Sequence, residues 1–108
     1  MNISKTKPQF GLKPEIITHL KNIFYKFEEI ESVVLYGSRA KGNYHRGSDI
    51  DITLKGNDIT EPLISSLEQY IDDLLLPYSF DISSWNKIDN LDLRAHIERV
   101  GVTIYQKI

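Results

Sequence analysis

The sequence predicts an α+β (α/β) fold in which helices pack on one face of a mixed β-sheet. Two observations predict this class: segments with the apolar spacing of a helix alternate with short strand-like segments, and the loops between them are short. The chain has 108 residues, the size of a domain with one hydrophobic core. We therefore expect one domain over residues 13–108, after a flexible arm over residues 1–12 that shows no periodicity. These patterns leave the order of the strands open.

Three helices are predicted from apolar side chains that recur every three or four residues. The first begins at Pro14, because proline suits the first turn of a helix. The second runs from about Glu61 to Leu75, before a proline that stops it, and a shorter third helix ends at Gly101. The apolar positions are Ile16, Leu20, Ile23, Phe24 and Phe27 in the first helix, Leu63, Ile64, Leu67, Tyr70, Ile71, Leu74 and Leu75 in the second, and Leu93, Ile97 and Val100 in the third.

Four strands are predicted between the helices. Ser32–Tyr36 is apolar and β-branched at consecutive positions, which is typical of a central strand buried on both faces. Asp49–Leu54 and Tyr78–Ser83 alternate between polar and apolar side chains, as expected for strands with one buried face. Val102–Tyr105 is predicted to be a last, short strand.

Composition and charge exclude several classes of protein. A formal net charge of −2 argues against a basic surface that coats nucleic acid, so no direct nucleic-acid binding is expected. The absence of cysteine excludes a disulfide scaffold, a zinc-thiolate site and a thiol nucleophile. The longest apolar runs, such as Val33–Tyr36, are far too short to span a bilayer. We expect no membrane association and a cytoplasmic location.

The segment after the central strand has the features of a phosphate-binding turn. Gly37 stands where the strand must turn, and its missing side chain lets a ligand approach the backbone closely. If a short helix starts at Ser38 or Arg39, its free amide groups face the same point, with the Ser38 hydroxyl as a further donor. Arg39, Lys41 and Arg46 could contact phosphate oxygens or merely offset the local acidity.

Three aspartates are candidate metal ligands. Asp49 and Asp51 are two apart on a strand, so their carboxylates point the same way about 6–7 Å apart and can share two ions about 3.5–4 Å apart. Hard oxygen ligands favour Mg²⁺, with Mn²⁺ as the alternative. Asp81 lies on the polar face of the third strand, and if the two strands are neighbours all three carboxylates share one face. Such a cluster repels itself unless cations occupy it, and Asp81 is then the nearest base for an incoming hydroxyl.

The arrangement GSRAKG, four residues, SDID and the later Asp81 resembles the signature of the minimal nucleotidyltransferases (MNT) within the DNA polymerase β-like nucleotidyltransferase superfamily. The resemblance extends over nearly the whole chain and implies the fold of that superfamily. It implies that Gly37 and Ser38 bind the triphosphate, that Asp49 and Asp51 bind two metal ions, and that Asp81 is the third acid. Arg39 and Ser48, which lie within the same motif, complete the candidate nucleotide-binding residues.

The resemblance also implies a function and a partner. Members of this family transfer AMP from ATP to a hydroxyl, and the minimal members typically act as antitoxins on a helical HEPN-family RNase toxin with which they form a hetero-oligomer. Because the chain offers little room for an acceptor-binding domain, we expect a partner to supply the acceptor. Two alternatives stay open: an inactive antitoxin that neutralises its partner by steric cover, and nucleotidyl transfer to a small molecule.

Overall fold

The consecutive apolar residues of the first predicted strand do form the middle of a sheet. In the computed structural model, which describes residues 9–108, the strands are β1 (Ser32–Tyr36), β2 (Ile50–Lys55), β3 (Phe80–Ser84) and β4 (Val102–Gln106). Their order is β3-β2-β1-β4. β1 is antiparallel to β2 and β4, whereas β2 and β3 are parallel. The mixed sheet predicted from the sequence is confirmed.

Two of the helices begin at a capping side chain. The helices are α1 (Pro14–Tyr25), α2 (Ser38–Lys41), α3 (Glu61–Asp72) and α4 (Leu91–Val100), and a short 3₁₀ helix (Trp85–Lys87) precedes α4. The Thr60 hydroxyl accepts a hydrogen bond from Leu63 N at 3.3 Å, and Asn90 Oδ1 accepts one from Leu93 N at 3.0 Å. Among the residues that the structure describes, no helix is long and apolar enough to cross a membrane.

The helix predicted to reach Leu75 ends three residues earlier, at Asp72. The backbone tightens after that residue, since Leu74 N donates to Ile71 O and Leu75 N to Asp72 O, each three residues back. Leu75 then takes a positive φ of 55°, which a helix cannot continue. The apolar periodicity of the sequence runs on through this turn, and it therefore overestimates the length of the helix.

The larger core lies between one face of the sheet and helices α1 and α3. Alternate strand residues point into it, among them Leu35 of β1 and Ile52 of β2, which are opposite each other in the sheet. From the helices, Phe24 and Leu67 are fully buried in the same cluster. This face accounts for most of the buried apolar side chains in the described residues.

The other face of the sheet carries α4, so the prediction that the helices pack on one face is wrong for this helix. Val34 and Tyr36, the alternate residues of β1, pack with Ile97 of α4 in a second, smaller cluster. Since β1 is apolar on both faces, it can support a helix on each. Gly101 permits the close approach, because an added Cβ would lie 2.6 Å from Val34 Cγ1.

Of the arm predicted over residues 1–12, residues 9–12 form a turn in the structure, and residues 1–8 lie outside the described residues. Gln9 and Leu12 close a turn through two backbone hydrogen bonds of 3.1 and 2.8 Å. Phe10 and Gly11 at its centre both have positive φ, as the corresponding two-residue turn requires. Leu12 is then fully buried in the larger core, which no local pattern in the sequence indicates.

Candidate active site

The register of the sheet brings two of the three predicted aspartates together. Tyr36 of β1 is opposite Asp51 of β2, and Asp51 is opposite Asp81 of β3. Residues opposite each other on adjacent strands point to the same face. Tyr36, Asp51 and Asp81 therefore form a row across three strands, on the face that carries α4, and the condition that strands two and three are neighbours is met.

The electrostatics of Asp51 show how close the acids are. Burial raises the pKa of its carboxyl above the ordinary value, and the negative charges of Asp81 and then Asp49 raise this pKa further. Asp51 is half-buried, whereas Asp49 and Asp81 are exposed. Asp49 stands one residue before β2 rather than inside it, so its carboxylate is less constrained than the other two.

The chemistry of these side chains fits a hard divalent cation, since they offer only carboxylate oxygens and would lose their mutual repulsion around it. A ready-made cage is not present: within residues 9–108, no three His, Cys, Asp or Glu side chains lie together closely enough to hold a metal ion. The exposed side chains of Asp49 and Asp81 would have to turn towards Asp51. The predicted three-ligand site is thus half formed, with Asp51 and Asp81 already side by side.

Gly37 lies directly against this row. It has a φ of 76° and a ψ of −156°, a region open almost only to glycine. A Cβ at this position would collide with the Asp51 carboxylate and lie 3.2 Å from its Cγ. The short helix predicted to start at Ser38 is present as α2. The Gly37 turn therefore lies next to the Asp51 carboxylate. A triphosphate that contacts both the turn and a cation held by the acids requires this proximity.

The structure places Arg39, which was predicted to contact the nucleotide, in a buried position. Its side chain is 2% exposed, and its guanidinium donates hydrogen bonds to the carbonyls of Phe10, Arg46 and Ser48. A group surrounded in this way has no free surface for a phosphate. Lys41, also in α2, is exposed and remains free to approach one. The sequence could not reveal this difference, because one of the carbonyls is 29 residues away.

Ser48 takes part in organising the loop before β2. Its hydroxyl oxygen accepts a hydrogen bond from His45 N at 3.0 Å, and its carbonyl accepts two from Arg39. The side chain is partly exposed, and its hydroxyl hydrogen is available for a ligand. The predicted contact between Ser48 and the nucleotide stays a prediction.

Tyr36 is a site residue that the sequence analysis did not single out. Burial raises the pKa of its phenol and so do the charges of Asp81 and Asp51, while the Ser83 hydroxyl acts in the opposite direction. The neutral phenol is thus available as a hydrogen-bond donor near the two carboxylates. Its ring also meets His96 of α4 edge to face, with centroids 6.3 Å apart. The sequence signal that could have identified Tyr36 is the alternation of β1. It places Tyr36 on the same face as Val34, and the structure pairs that face with Asp51.

A family model described as Polymerase beta, Nucleotidyltransferase matches residues 18–108 of the chain. The chain belongs to the polymerase beta nucleotidyltransferase family. It is a nucleotidyltransferase, and the fold class inferred from the motif is confirmed. No curated protein sequence matches it.

Solved structures with the same fold include toxin-antitoxin complexes. A crystal structure of a toxin-antitoxin with AMP-PNP is 19% identical with a TM-score of 0.69, over 84% of this chain and 73% of that one. A variant of the MntA-HpeT toxin-antitoxin is 19% identical with a TM-score of 0.63, over 86% and 71%. A tri-AMPylated Shewanella oneidensis HEPN toxin in complex with MNT antitoxin is 18% identical with a TM-score of 0.57, over 86% and 68%.

At 18–19% identity these neighbours show that the chain shares their fold. In this nucleotidyltransferase the predicted site residues divide into three groups. Gly37, Asp51 and Asp81 are in direct proximity; Asp49 and Ser38 flank them. The third group is Arg39 and Ser48, because the guanidinium of Arg39 donates to the Ser48 carbonyl.

Proposed function

We propose that this nucleotidyltransferase transfers AMP from ATP to a hydroxyl of a helical HEPN-family protein and thereby acts as its antitoxin. The observation that carries the proposal is the juxtaposition of Gly37 with the paired carboxylates Asp51 and Asp81. Nucleotide chemistry needs both a backbone that a triphosphate can approach and acids that can hold its cation. The choice of ATP and of a HEPN partner follows the neighbours, one solved with AMP-PNP and another with an AMPylated HEPN toxin.

The aspartates would hold one or two divalent cations, Mg²⁺ or Mn²⁺, with Asp51 and Asp81 as the paired ligands and Asp49 turning in from the start of β2. Such cations neutralise charge on the triphosphate and on the leaving pyrophosphate. The pKa of Asp51 is raised by burial and then by the negative charges of Asp81 and Asp49, and a cation bound among the three acids would offset that repulsion. The three carboxylates would contribute ligand oxygens, and the pairing of β2 with β3 would keep Asp51 and Asp81 next to each other so that the bound triphosphate is oriented for in-line attack.

The residues on the turn and on the edge strand then have distinct roles. Gly37 lets the β- and γ-phosphates approach the backbone, where Ser38 donates hydrogen bonds. Asp81 accepts the proton of the acceptor hydroxyl, whose oxygen forms the new bond to the α-phosphorus while the bond to the β-phosphate oxygen breaks. Because Asp81 is exposed on an edge strand, a large acceptor can reach it.

The proposal is tested by transfer of label. The protein is incubated with Mg²⁺, ATP labelled at the α-phosphate and a candidate HEPN-family partner, and label on that partner is measured. Asp51→Asn should abolish transfer, whereas Asp58→Asn, an exposed aspartate in the loop after β2, should not. If the two proteins form a stable complex but none of the four nucleoside triphosphates labels the partner, the protein neutralises by steric cover and the proposed activity is wrong.

A further inference from the structure

The buried guanidinium of Arg39 forms hydrogen bonds to segments next to the candidate active site. We propose that Arg39 is a positioning residue for nucleotide and cation binding, acting through the backbone of the loop that leads into Asp49 without touching the nucleotide. We call this arrangement the Arg39 clasp. It comprises the Arg39 side chain, the carbonyls that accept its hydrogen bonds, and the rings of Tyr44 and Tyr78 on which it stacks. The inference rests on the proposed function, since its effect is exerted on ATP and its cation.

The clasp holds the loop immediately before β2. Arg39 Nε and Nη2 both donate to Ser48 O, at 3.1 and 3.0 Å, and Nη2 also donates to Arg46 O at 3.4 Å. Both carbonyls belong to the three residues that precede Asp49. The hydrogen bond from His45 N to Ser48 Oγ closes the same loop on itself. The direction in which the chain enters β2, and hence the position of the first aspartate, is therefore set from Arg39.

The same guanidinium also holds two segments that are distant along the chain. Nη1 donates to Phe10 O at 2.8 Å, which ties down the N-terminal turn. Arg39 Cζ lies 5.3 Å from the centroid of the Tyr44 ring and 5.0 Å from that of Tyr78. Tyr78 lies three residues before Asp81. Both aspartate-bearing segments are therefore anchored to the helix that follows the Gly37 turn.

Geometry makes this a task for arginine in particular. Its planar fork directs parallel donors at one carbonyl while its face stacks on an aromatic ring, and a lysine ammonium offers neither feature. All four hydrogen bonds of Arg39 go to backbone carbonyls. Since a buried charge is costly unless its partners stay in place, the clasp favours one arrangement of all three segments.

Two substitutions disturb the clasp in different ways. Arg39→Lys keeps the charge and removes the fork. Gly11→Ala keeps Arg39 but adds a Cβ that would lie 2.5 Å from Tyr44 Cε1 and 2.8 Å from Arg39 Nη1, at a residue with φ of 75°. Arg99→Lys, at an exposed arginine in the last turn of α4, is the matched control.

Three measurements are made on each variant: affinity for AMP-PNP with Mg²⁺, the steady-state kinetics (KM and kcat) of AMP transfer to the partner, and amide hydrogen exchange. Both clasp variants should weaken nucleotide affinity by roughly 10–100-fold and raise the KM for ATP by a similar factor. This is the range typical of residues that orient ligand-binding groups without touching the ligand. The kcat should change less. Exchange should accelerate in residues 43–48 and stay unchanged in β1, and the control should match the wild type in all three.

The outcomes separate this inference from the proposed function. If both clasp variants fold and bind AMP-PNP with unchanged affinity, or if their losses follow only the folded fraction measured by circular dichroism, Arg39 has no positioning role. If the wild type binds AMP-PNP but labels no partner, the proposed transfer is wrong, while the affinity series still decides the role of Arg39.

Discussion

The two faces of the sheet are made from alternate residues of the same strands, yet they differ in what they contain. On the face that packs against α1 and α3, Leu35 and Ile52 are opposite each other and fully buried in the larger core. The adjacent pair of residues in the same two strands lies on the other face. There Tyr36 is opposite Asp51, and Asp51 is opposite Asp81 of β3. Among the described residues, the smaller cluster around α4 packs against that face.

The difference shows how the sheet tolerates a row of acids. Mutual repulsion of carboxylates costs stability, and Asp51 has two carboxylate neighbours in the described residues. The apolar side chains buried on the first face stabilise the sheet and its strand register. The residues of the polar face can therefore serve the activity rather than stability. We therefore expect substitutions on the first face to change stability, and substitutions on the second to change activity.

The largest effect is expected on the apolar face. Leu54 is fully buried in β2, and Leu54→Ala should lower the free energy of unfolding by about 2–5 kcal/mol, because it removes burial and leaves a cavity. Transfer per folded molecule should remain. Chemical denaturation monitored by circular dichroism measures the first and label transfer the second. Leu75→Ala, at a side chain 88% exposed, is the control and should leave stability nearly unchanged.

On the polar face the expected effect is on rate. Asp51→Asn removes one charge from the row, and transfer should fall by at least about 100–1,000-fold, or about 3–4 kcal/mol, as when a preorganised electrostatic group is lost. Stability should be equal or higher, since repulsion from Asp81 and Asp49 is relieved. Label transfer and denaturation on the same sample check both. A variant that loses stability as Leu54→Ala does would show that the two faces are not functionally separate.

The contrast between the faces also shows how far the sequence could go. The alternation of Asp49–Leu54 and Tyr78–Ser83 was sufficient to assign Asp51 and Asp81 each to the polar face of its own strand, because strand parity is local and exact in period. That the two strands are neighbours was a condition of the prediction, and the structure meets it. The consecutive apolar residues of β1 are a local signal too, and they predicted a central strand. These patterns depend only on neighbours in the chain, and the structure confirms them.

Features that depend on distant contacts were not predictable. The amphipathic pattern of α4 shows that one side is buried but not which face of the sheet receives it. Arg39 was predicted to bind phosphate because its burial could not be foreseen. One of the carbonyls that it binds, at Phe10, lies in a segment without periodicity. The burial of Leu12 was missed for the same reason. Long-range burial leaves no periodic trace in a short segment.

A smaller effect is expected where the turn meets the polar face. Gly37→Ala should lower the free energy of unfolding by about 1–3 kcal/mol, because its backbone conformation is strained for any residue with a Cβ. The new methyl group would also displace the Asp51 carboxylate, so transfer should fall more than stability alone explains. Gly47→Ala is the matched control, since a Cβ there meets nothing within 4 Å. Equal behaviour of the two variants would contradict the close approach of turn and acid.

The smallest expected effect is the pH dependence that arises at Asp51 from its burial and from the neighbouring acids Asp81 and Asp49. The pKa of Asp51 is raised in the folded protein above its ordinary value of 3.8. Because the folded state keeps this proton to higher pH than the unfolded chain, the carboxyl destabilises the fold progressively as pH rises through the raised pKa. Asp51→Asn carries no such proton. Measured in EDTA, the excess stability of Asp51→Asn over the wild type should therefore grow as pH increases from 3.8 and then level off. An excess that shrinks over this interval would mean that Asp51 is stabilised as an anion, and the polar face would then be an attractive rather than a repelling site for its own charges.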